Sequence, residues 1–350
     1  MSAQEERYAQ SVTGPVPAGA LGRVLCHEHV VVRTPGFAES YPWLYPRADI
    51  VEECVDVLTE LRESGISTII DHTTIDLGRD VELLAEVSRR SGVTIVAATG
   101  CHLVTPRWVH RRSPDAYAEL LVRDLTEGVA STGIRAGVIK CATDEHGVTG
   151  VNETVLRACA RAHLATGAPI STHTHAAGRT GLAQLEIFVE EGVDPSRVLI
   201  GHSGDSADFP YLRELLYHGA YLGADRFGGE VGCSEDERIT IVAELCREGH
   251  ADQVMVAHDT NVWSDKDSAQ WREVHRPQWH YRHVLDDVVP ELRHEGVSQH
   301  QVDQMLVANP AAFFPFSAPT HDRSRTRDDD RELADPAPAA GRQGRLPAQR

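Results

Sequence analysis

Two histidines separated by one residue, His27 and His29, are the clearest chemical signal in the sequence. They belong to a short apolar segment, residues 24–30, whose composition is typical of a β-strand. Side chains alternate between the two faces of a strand, so both imidazoles project to the same side and could bind one divalent metal ion. A hydrogen-bonded polar pair on a half-buried strand would show the same spacing, so the pair alone leaves both interpretations open.

Further side chains of the types that bind metals occur where later strands are predicted to end. Five of the eight predicted strands end in this way, counting His27 and His29 as the first. The others, in chain order, are Lys140, His173 with His175 two residues beyond it, His202, and the pair His258 and Asp259. Each alone could be a polar residue bonded to a backbone carbonyl, but their recurrence at strand ends favours one shared metal site.

Lys140 fits such a site only if its amine is chemically altered. A lysine ammonium carries no free lone pair and would repel divalent cations. Reaction with carbon dioxide would convert the amine into a carbamate, a carboxylate-like group that could bridge two ions. Without that reaction, Lys140 would be a neutral buried base or a residue that faces the surface.

The elements that must position these residues follow a regular alternation of strand and helix. Helical apolar spacing follows each predicted strand, and strands joined by helices must run parallel. Eight such units predict an α/β fold, a (β/α)₈ TIM barrel. An open doubly wound sheet is disfavoured, because no GlyXGlyXXGly segment follows the first strand. The predicted strands cover residues 24–30, 67–70, 93–98, 136–141, 168–173, 197–202, 220–225 and 253–257.

Composition sets the domain boundaries and excludes several classes of partner. We expect an N-terminal arm or hairpin over residues 1–21, a barrel domain over 22–316 and a disordered tail over 317–350, which is rich in Pro, Ala, Arg and Asp. A net charge of −18 over 350 residues disfavours nucleic acids and membrane surfaces as partners. Seven scattered cysteines and the lack of a signal peptide predict a cytoplasmic protein. We expect a small-molecule substrate, and a homodimer is possible.

The order of these residues resembles the phosphotriesterase family of the amidohydrolase superfamily, which are zinc-dependent (β/α)₈ hydrolases. The resemblance runs from about Gly14 to Phe316, and its motifs are specific in combination. The matching segments are Cys26-His27-Glu28-His29, Gly137-Val138-Ile139-Lys140, Thr172-His173-Thr174, Ile200-Gly201-His202-Ser203-Gly204-Asp205 and His258-Asp259.

The resemblance implies a set of metal ligands that strand alternation alone could not choose. His27, His29 and Asp259 would hold the more buried ion, and His173 and His202 the more exposed one. A carboxylated Lys140 and a hydroxide would bridge both. The implied cofactors are two divalent ions, zinc first with cobalt, manganese or iron as alternatives, and carbon dioxide as the lysine carbamate.

Within the family, the segment 223–228 resembles the seventh-strand motif of the phosphotriesterase-like lactonases, in which the residue matching Arg226 lies beside the substrate pocket. One departure is His102, which stands after Cys101 where those lactonases usually place a tyrosine near the metals. His102 could supply a comparable hydrogen bond or shape a different pocket. Trp263, in a long aromatic eighth loop, could line the pocket or serve packing and dimer contact.

The sequence therefore predicts hydrolysis by a binuclear metal centre in which Asp259 accepts the proton of the attacking hydroxide. A lactonase or carboxylic ester hydrolase is the leading prediction because of Arg226. A phosphotriesterase or an amide hydrolase with the same metals is the alternative. A metal-bound binding protein without turnover is the remote one, since structural zinc sites are closed and often rich in cysteine, whereas this ligand set contains none.

Overall fold

The structure, a computed structural model, describes residues 7–229 and 231–314. Within these residues, twelve strands form an N-terminal hairpin, one eight-stranded parallel sheet and one short two-stranded pair. The strands are β1 (Tyr8–Ser11), β2 (Gly14–Pro17), β3 (Arg23–Glu28), β4 (Val31–Val32), β5 (Ile66–Asp71), β6 (Thr94–Gly100), β7 (Val138–Ala142), β8 (Ile170–His173), β9 (Val198–Ile200), β10 (Tyr221–Ala224), β11 (Val254–Val256) and β12 (Trp263–Ser264).

The eight parallel strands follow one another in the sheet in chain order, from β3 and β5 through to β11. Hydrogen bonds just beyond the strand ends link the first strand to the last. The amide of Asp259 donates to the carbonyl of His27 at 3.0 Å, and the amide of His29 donates to the carbonyl of Thr260 at 2.9 Å. The predicted (β/α)₈ barrel is confirmed.

Helices surround the barrel and bury an apolar stripe against it. In α2, Ile50, Cys54, Leu58 and Leu61 are buried at helical spacing. Several helices are capped at their N-terminus by a hydrogen-bonding side chain. At the start of α3, for example, the carboxylate of Asp80 accepts a hydrogen bond from the amide of Leu83. The helices are α1 (Phe37–Ser40), α2 (Arg47–Glu63), α3 (Val81–Ser91), α4 (Pro114–Thr126), α5 (Gly150–Thr166), α6 (Thr180–Glu190), α7 (Phe209–Tyr217), α8 (Glu235–Arg247), α9 (Ala269–His275), α10 (Val289–His294), α11 (Gln299–Asp303) and α12 (Asn309–Phe313).

The helix predicted near residues 280–294 is not uniform. A π-helical segment, Val284–Val288, precedes α10, and a second one, Gln304–Ala308, precedes α12. Each π-helical segment lies just before a proline, Pro290 or Pro310. Proline has no amide hydrogen to donate four residues back, so the regular α-helical pattern cannot continue through these positions. The apolar spacing could not show this change of helix type.

The hairpin of β1 and β2 packs against the barrel strands. The amide of Val12 donates to the carbonyl of Ile95 in β6 at 2.9 Å. A Cβ added to Gly137, just before β7, would lie 2.1 Å from the carbonyl oxygen of Gln10. The hairpin backbone therefore approaches the barrel so closely that only glycine fits at position 137.

Only some of the remaining sequence predictions concern residues that the structure describes. Within them, no helix is both long and apolar enough to cross a membrane. The disordered tail predicted over residues 317–350 lies outside the described residues, as do the first six residues of the predicted arm. The domain boundaries, the cytoplasmic location and the homodimer stay predictions.

Replacing Gly137 with alanine should destabilise the fold by about 2 to 3 kcal/mol, because the added methyl overlaps the Gln10 carbonyl and the side chain of Val96. The free energy of unfolding in denaturant measures this loss. Gly150→Ala is the matched control, because a Cβ at that α5 position meets nothing within 4 Å. Equal stability of the Gly137 variant and the wild type would show that the hairpin does not pack as described.

Candidate metal centre

Three of the predicted ligands meet where the first and last barrel strands end. His27 lies in β3, His29 follows it, and Asp259 follows β11. The Nε2 atom of His29 is 3.1 Å from Oδ1 of Asp259, and the Nε2 atom of His27 is 3.4 Å from the same oxygen. The donor atoms of the three side chains all lie within 4.8 Å of one another, so they could hold one ion.

Two more predicted ligands extend this cluster across the barrel mouth. The Nε2 atom of His202, after β9, is 2.9 Å from Nδ1 of His173, at the end of β8. The same Nε2 atom is 3.8 Å from Oδ2 of Asp259. Asp259 therefore presents one oxygen to each half of the cluster.

Lys140 lies in β7 beneath these histidines and is almost fully buried. Its Nζ atom is 3.1 Å from Nε2 of His27 and donates to the carbonyl of Thr172 at 3.3 Å. Burial lowers the pKa of the Lys140 amine to about 8. A buried amine of lowered pKa is neutral for a larger fraction of the time, and the neutral amine is the form that reacts with carbon dioxide.

A buried carboxylate that the sequence interpretation missed, Asp225, orients two of the histidines. One oxygen accepts from Nδ1 of His27 at 2.6 Å, and the other accepts from Nδ1 of His202 at 3.0 Å and from its backbone amide at 2.8 Å. With Nδ1 protonated, each Nε2 lone pair faces the centre, the arrangement common to metal-binding histidines. The signal was present, because Asp225 directly precedes Arg226 in the seventh-strand segment.

His258 and Asp259 adjoin in sequence but point to different surroundings. The carboxylate of Glu28 accepts from the backbone amide of His258 and lies 2.6 Å from its Nδ1 atom. The amide of Val284 donates to the other ring nitrogen of His258 at 2.9 Å. Both nitrogens of His258 are thus occupied, whereas Asp259 faces His27 and His29.

The backbone is strained at two of the predicted ligands. His202 and Asp259 have φ angles of 63° and 54°, in the left-handed region that few residues other than glycine adopt. Such conformations cost about 1 to 3 kcal/mol each and are concentrated at functional sites. Hydrogen bonds from both backbone amides, to Asp225 and to His27, hold the strained residues in place.

Arg226 links Asp259 to a second buried carboxylate. Its Nε atom donates to Oδ2 of Asp259 at 3.1 Å, and its Nη1 atom donates to Oδ2 of Asp205 at 2.8 Å. The other oxygen of Asp205 accepts from Arg238, a fully buried arginine, at 2.7 Å. A chain of alternating charges, from Arg238 through Asp205 and Arg226 to Asp259, therefore leads into the cluster; Asp205 and Arg238 were not among the predicted site residues.

Comparison with known proteins identifies the family of this chain. The sequence model of the Phosphotriesterase family matches residues 8–314. The chain belongs to the phosphotriesterase family. This family is part of the amidohydrolase superfamily and uses a binuclear metal centre.

Individual members of the family are similar over most of the chain. A phosphotriesterase homology protein of Mycobacterium tuberculosis is 45% identical over 311 residues, which cover 86% of this chain and 95% of that protein. An aryldialkylphosphatase of Saccharolobus solfataricus is 33% identical over 298 residues, which cover 84% of this chain and 95% of that protein. The solved structure of the phosphotriesterase from Mycobacterium tuberculosis matches with a TM-score of 0.85 at 43% identity, over 89% of this chain and 100% of that chain.

The two remaining residues predicted to contact substrate lie in different surroundings. The Nε2 atom of His102 is 3.1 Å from Nδ1 of His173, so His102 borders the cluster. Trp263 lies in β12, paired with Val31, and its ring meets that of Tyr45 edge-on at 5.3 Å. The structure thus brings His102 to the cluster and places Trp263 against Tyr45. Both substrate roles stay predictions.

The donor set fits the divalent ions that this family uses. The Nε2 lone pairs of His27 and His202 converge with Asp259, and imidazole with carboxylate suits zinc, iron, cobalt or manganese. A further imidazole, His72, packs its ring 4.1 Å from that of His27, and neither of its buried nitrogens has a hydrogen-bond partner among the described residues. Converging lone pairs are costly in a protein alone, and a bound cation would satisfy them.

Replacing Asp225 with asparagine should weaken metal binding about 10- to 100-fold, because the amide no longer holds His27 and His202 in the metal-binding tautomer. Competition with a chelator for the bound metal measures this change. Asp236→Asn, an exposed acidic residue at the start of α8, is the control and should bind metal like the wild type. Unchanged affinity in the Asp225 variant would remove this carboxylate from the centre.

Proposed function

We propose that this chain is a binuclear metal-dependent hydrolase that cleaves lactones or related carboxylic esters. The observation that carries the proposal is the position of Arg226, whose guanidinium contacts Asp259 inside the cluster of predicted ligands. The segment around it, 223–228, resembles that of the phosphotriesterase-like lactonases, in which the arginine borders the substrate pocket. Membership of a family of metal-dependent hydrolases supports the reaction class.

In the proposed site, the histidines and Lys140 hold the ions. His27, His29 and Asp259 would bind the more buried ion, His173 and His202 the more exposed one, and Lys140, carboxylated by carbon dioxide, would bridge both. Two bound ions, zinc in our proposal, would supply an activated water near neutral pH and polarise the substrate carbonyl.

Asp259 is the proposed proton acceptor. Burial alone would raise the pKa of Asp259, but the facing imidazoles of His27 and His29 and the guanidinium of Arg226 hold that pKa well below its usual range. The ionised carboxylate is therefore able to accept a proton from the attacking water. Arg226 holds Oδ2 and so fixes the direction in which Oδ1 points.

Asp205 and Arg238 are the proposed supports of this arrangement. Arg226 can orient Asp259 only if its own planar guanidinium is held, and Asp205 holds it by accepting from Nη1. Arg238 in turn holds Asp205 and donates to the carbonyl of Val231 at 2.9 Å. The substrate itself would contact Arg226 and His102, and Trp263 would form part of the pocket wall.

Hydrolysis of phosphotriesters is the second candidate function. The same metals would polarise a phosphoryl oxygen as well as a carbonyl oxygen. The observation that favours it is the relative named as an aryldialkylphosphatase, which is 33% identical to this chain. Amide hydrolysis uses the same attack on a carbonyl and is a further alternative, and a binding protein without turnover is the remote one.

A side-by-side assay of lactones, paraoxon-like phosphotriesters and N-acyl compounds tests the proposed substrate class. We expect the highest kcat/KM for lactones. Faster cleavage of phosphotriesters or of N-acyl compounds would replace the lactonase proposal by the corresponding alternative. Tight metal binding without hydrolysis of any class would contradict an enzymatic function.

Replacing Asp259 with asparagine should lower kcat at least about 100-fold, because the amide cannot accept the proton, while the ions remain bound. Steady-state kinetics and metal content are measured on the same preparation. Asp252→Asn, an exposed residue before β11, serves as the control and should keep wild-type turnover. If the Asp259 variant turned over substrate at the wild-type rate, this residue would have no role in the proton transfer.

A further inference from the structure

A second cluster of possible metal ligands lies outside the centre, in the segment that follows α9. It consists of His280, His283 and Asp287, whose donor atoms all lie within 4.8 Å of one another. His283 directly precedes the π-helical segment Val284–Val288, Asp287 lies within that segment, and His280 lies in the bend before it. Nothing in the proposed hydrolysis uses them.

The surroundings of His283 match those of a metal-binding histidine. Its ring is fully buried, with Nε2 2.6 Å from Oε1 of Glu235 and Nδ1 2.8 Å from Oδ2 of Asp287. The other oxygen of Glu235 is fixed by the backbone amide of Gly228 at 2.8 Å. A histidine that donates Nε2–H to a fixed carboxylate presents the Nδ1 lone pair, and this carboxylate–histidine pattern orients many zinc ligands.

The other two ligands make the cluster accessible from solvent. His280 and Asp287 are exposed, and the ring of His280 is 5.8 Å from that of His283 in a T-shaped arrangement. Asp287 lies in the π-helical segment Val284–Val288, and such segments are frequent at functional sites. Two imidazoles and one carboxylate leave one position open for water, which is a common coordination of zinc.

We propose that His280, His283 and Asp287 form a third, peripheral divalent-metal site that takes zinc, with Glu235 orienting His283. The site is distinct from the binuclear centre, because none of these four residues belongs to that ligand set. Zinc is the fitting ion because imidazole and carboxylate ligands in an open four-coordinate site suit it.

The peripheral site would connect two loops that border the binuclear centre. Glu235 holds Gly228, two residues after Arg226. On the other side, the amide of Val284, next to His283, donates to His258, and the indole of Trp279, next to His280, donates to the carbonyl of His258 at 2.9 Å. An ion bound to His280, His283 and Asp287 would therefore stiffen the backbone at His258, next to Asp259, and at Gly228, near Arg226.

The competing explanation is an ion pair without metal. Burial alone would lower the pKa of His283, but its hydrogen bonds to Glu235 and Asp287 raise it, so an imidazolium held between the two carboxylates is chemically sound. The two explanations differ in the role of His280. A metal site needs this exposed imidazole, whereas the ion pair does not.

The zinc content of the purified protein distinguishes the metal site from the metal-free ion pair. Wild type, His280→Ala and Asp287→Asn are equilibrated with a series of buffered free zinc concentrations, and zinc per chain is measured by elemental analysis. We expect both variants to hold one zinc fewer than the wild type at zinc concentrations that saturate the wild type. His294→Ala, an exposed histidine in the neighbouring α10, is the matched control and should hold the wild-type number.

The difference between wild type and variants tests the peripheral site, and the total tests the binuclear centre. Two ions in the wild type and one in His280→Ala would support the peripheral site while contradicting the binuclear proposal. Equal zinc in the wild type and both variants at every zinc concentration would leave only the ion pair and overturn the proposal. Thermal unfolding gives a second readout, because added zinc should raise the Tm of the wild type further than that of His280→Ala.

Discussion

The buried carboxylate of Asp225 is the constraint on which the candidate metal centre depends. It accepts hydrogen bonds from His27 on the first barrel strand and from His202 after the sixth. One carboxylate therefore fixes two imidazoles that are far apart in sequence, and it sets which nitrogen of each one faces inward. Burial would raise the pKa of Asp225, but the two imidazoles hold it well below its usual range, so it remains a charged acceptor.

The barrel explains why such distant residues converge. Parallel strands end at the same rim, and the strand ends and the residues just after them carry the side chains of the cluster. Further hydrogen bonds fix residues just beyond the strand ends; Glu28, for example, holds His258 and the amide of Thr260. A chain of ion pairs, from Arg238 through Asp205 to Arg226, then places a positively charged guanidinium on one side of the barrel mouth, next to Asp259. The fold brings the side chains close together, and hydrogen bonds to the buried carboxylates fix the orientation of those side chains.

Sequence reasoning predicted the barrel and the convergence of its polar strand ends, because both follow from periodicity and parallel connection. Strand alternation alone could not choose between His258 and Asp259, and the family resemblance made that choice. In the structure the difference depends on Glu28, which is remote in sequence and reaches His258 only in the folded barrel. Sequence reasoning did not assign a role to Asp225, although this residue directly precedes Arg226 in the seventh-strand segment. The π-helical segment before Pro290 was also not predicted from the sequence, because apolar spacing does not show where a helix changes its hydrogen-bonding pattern.

The most direct test of the binuclear centre is the mass of the native subunit of a fully active preparation in bicarbonate buffer. The His280→Ala variant is the suitable chain, because it lacks the proposed peripheral site. The account predicts the mass of the chain plus one carbon dioxide, located on Lys140, and two metal ions. A fully active subunit that carries fewer than two ions, or no carbon dioxide on Lys140, would contradict it.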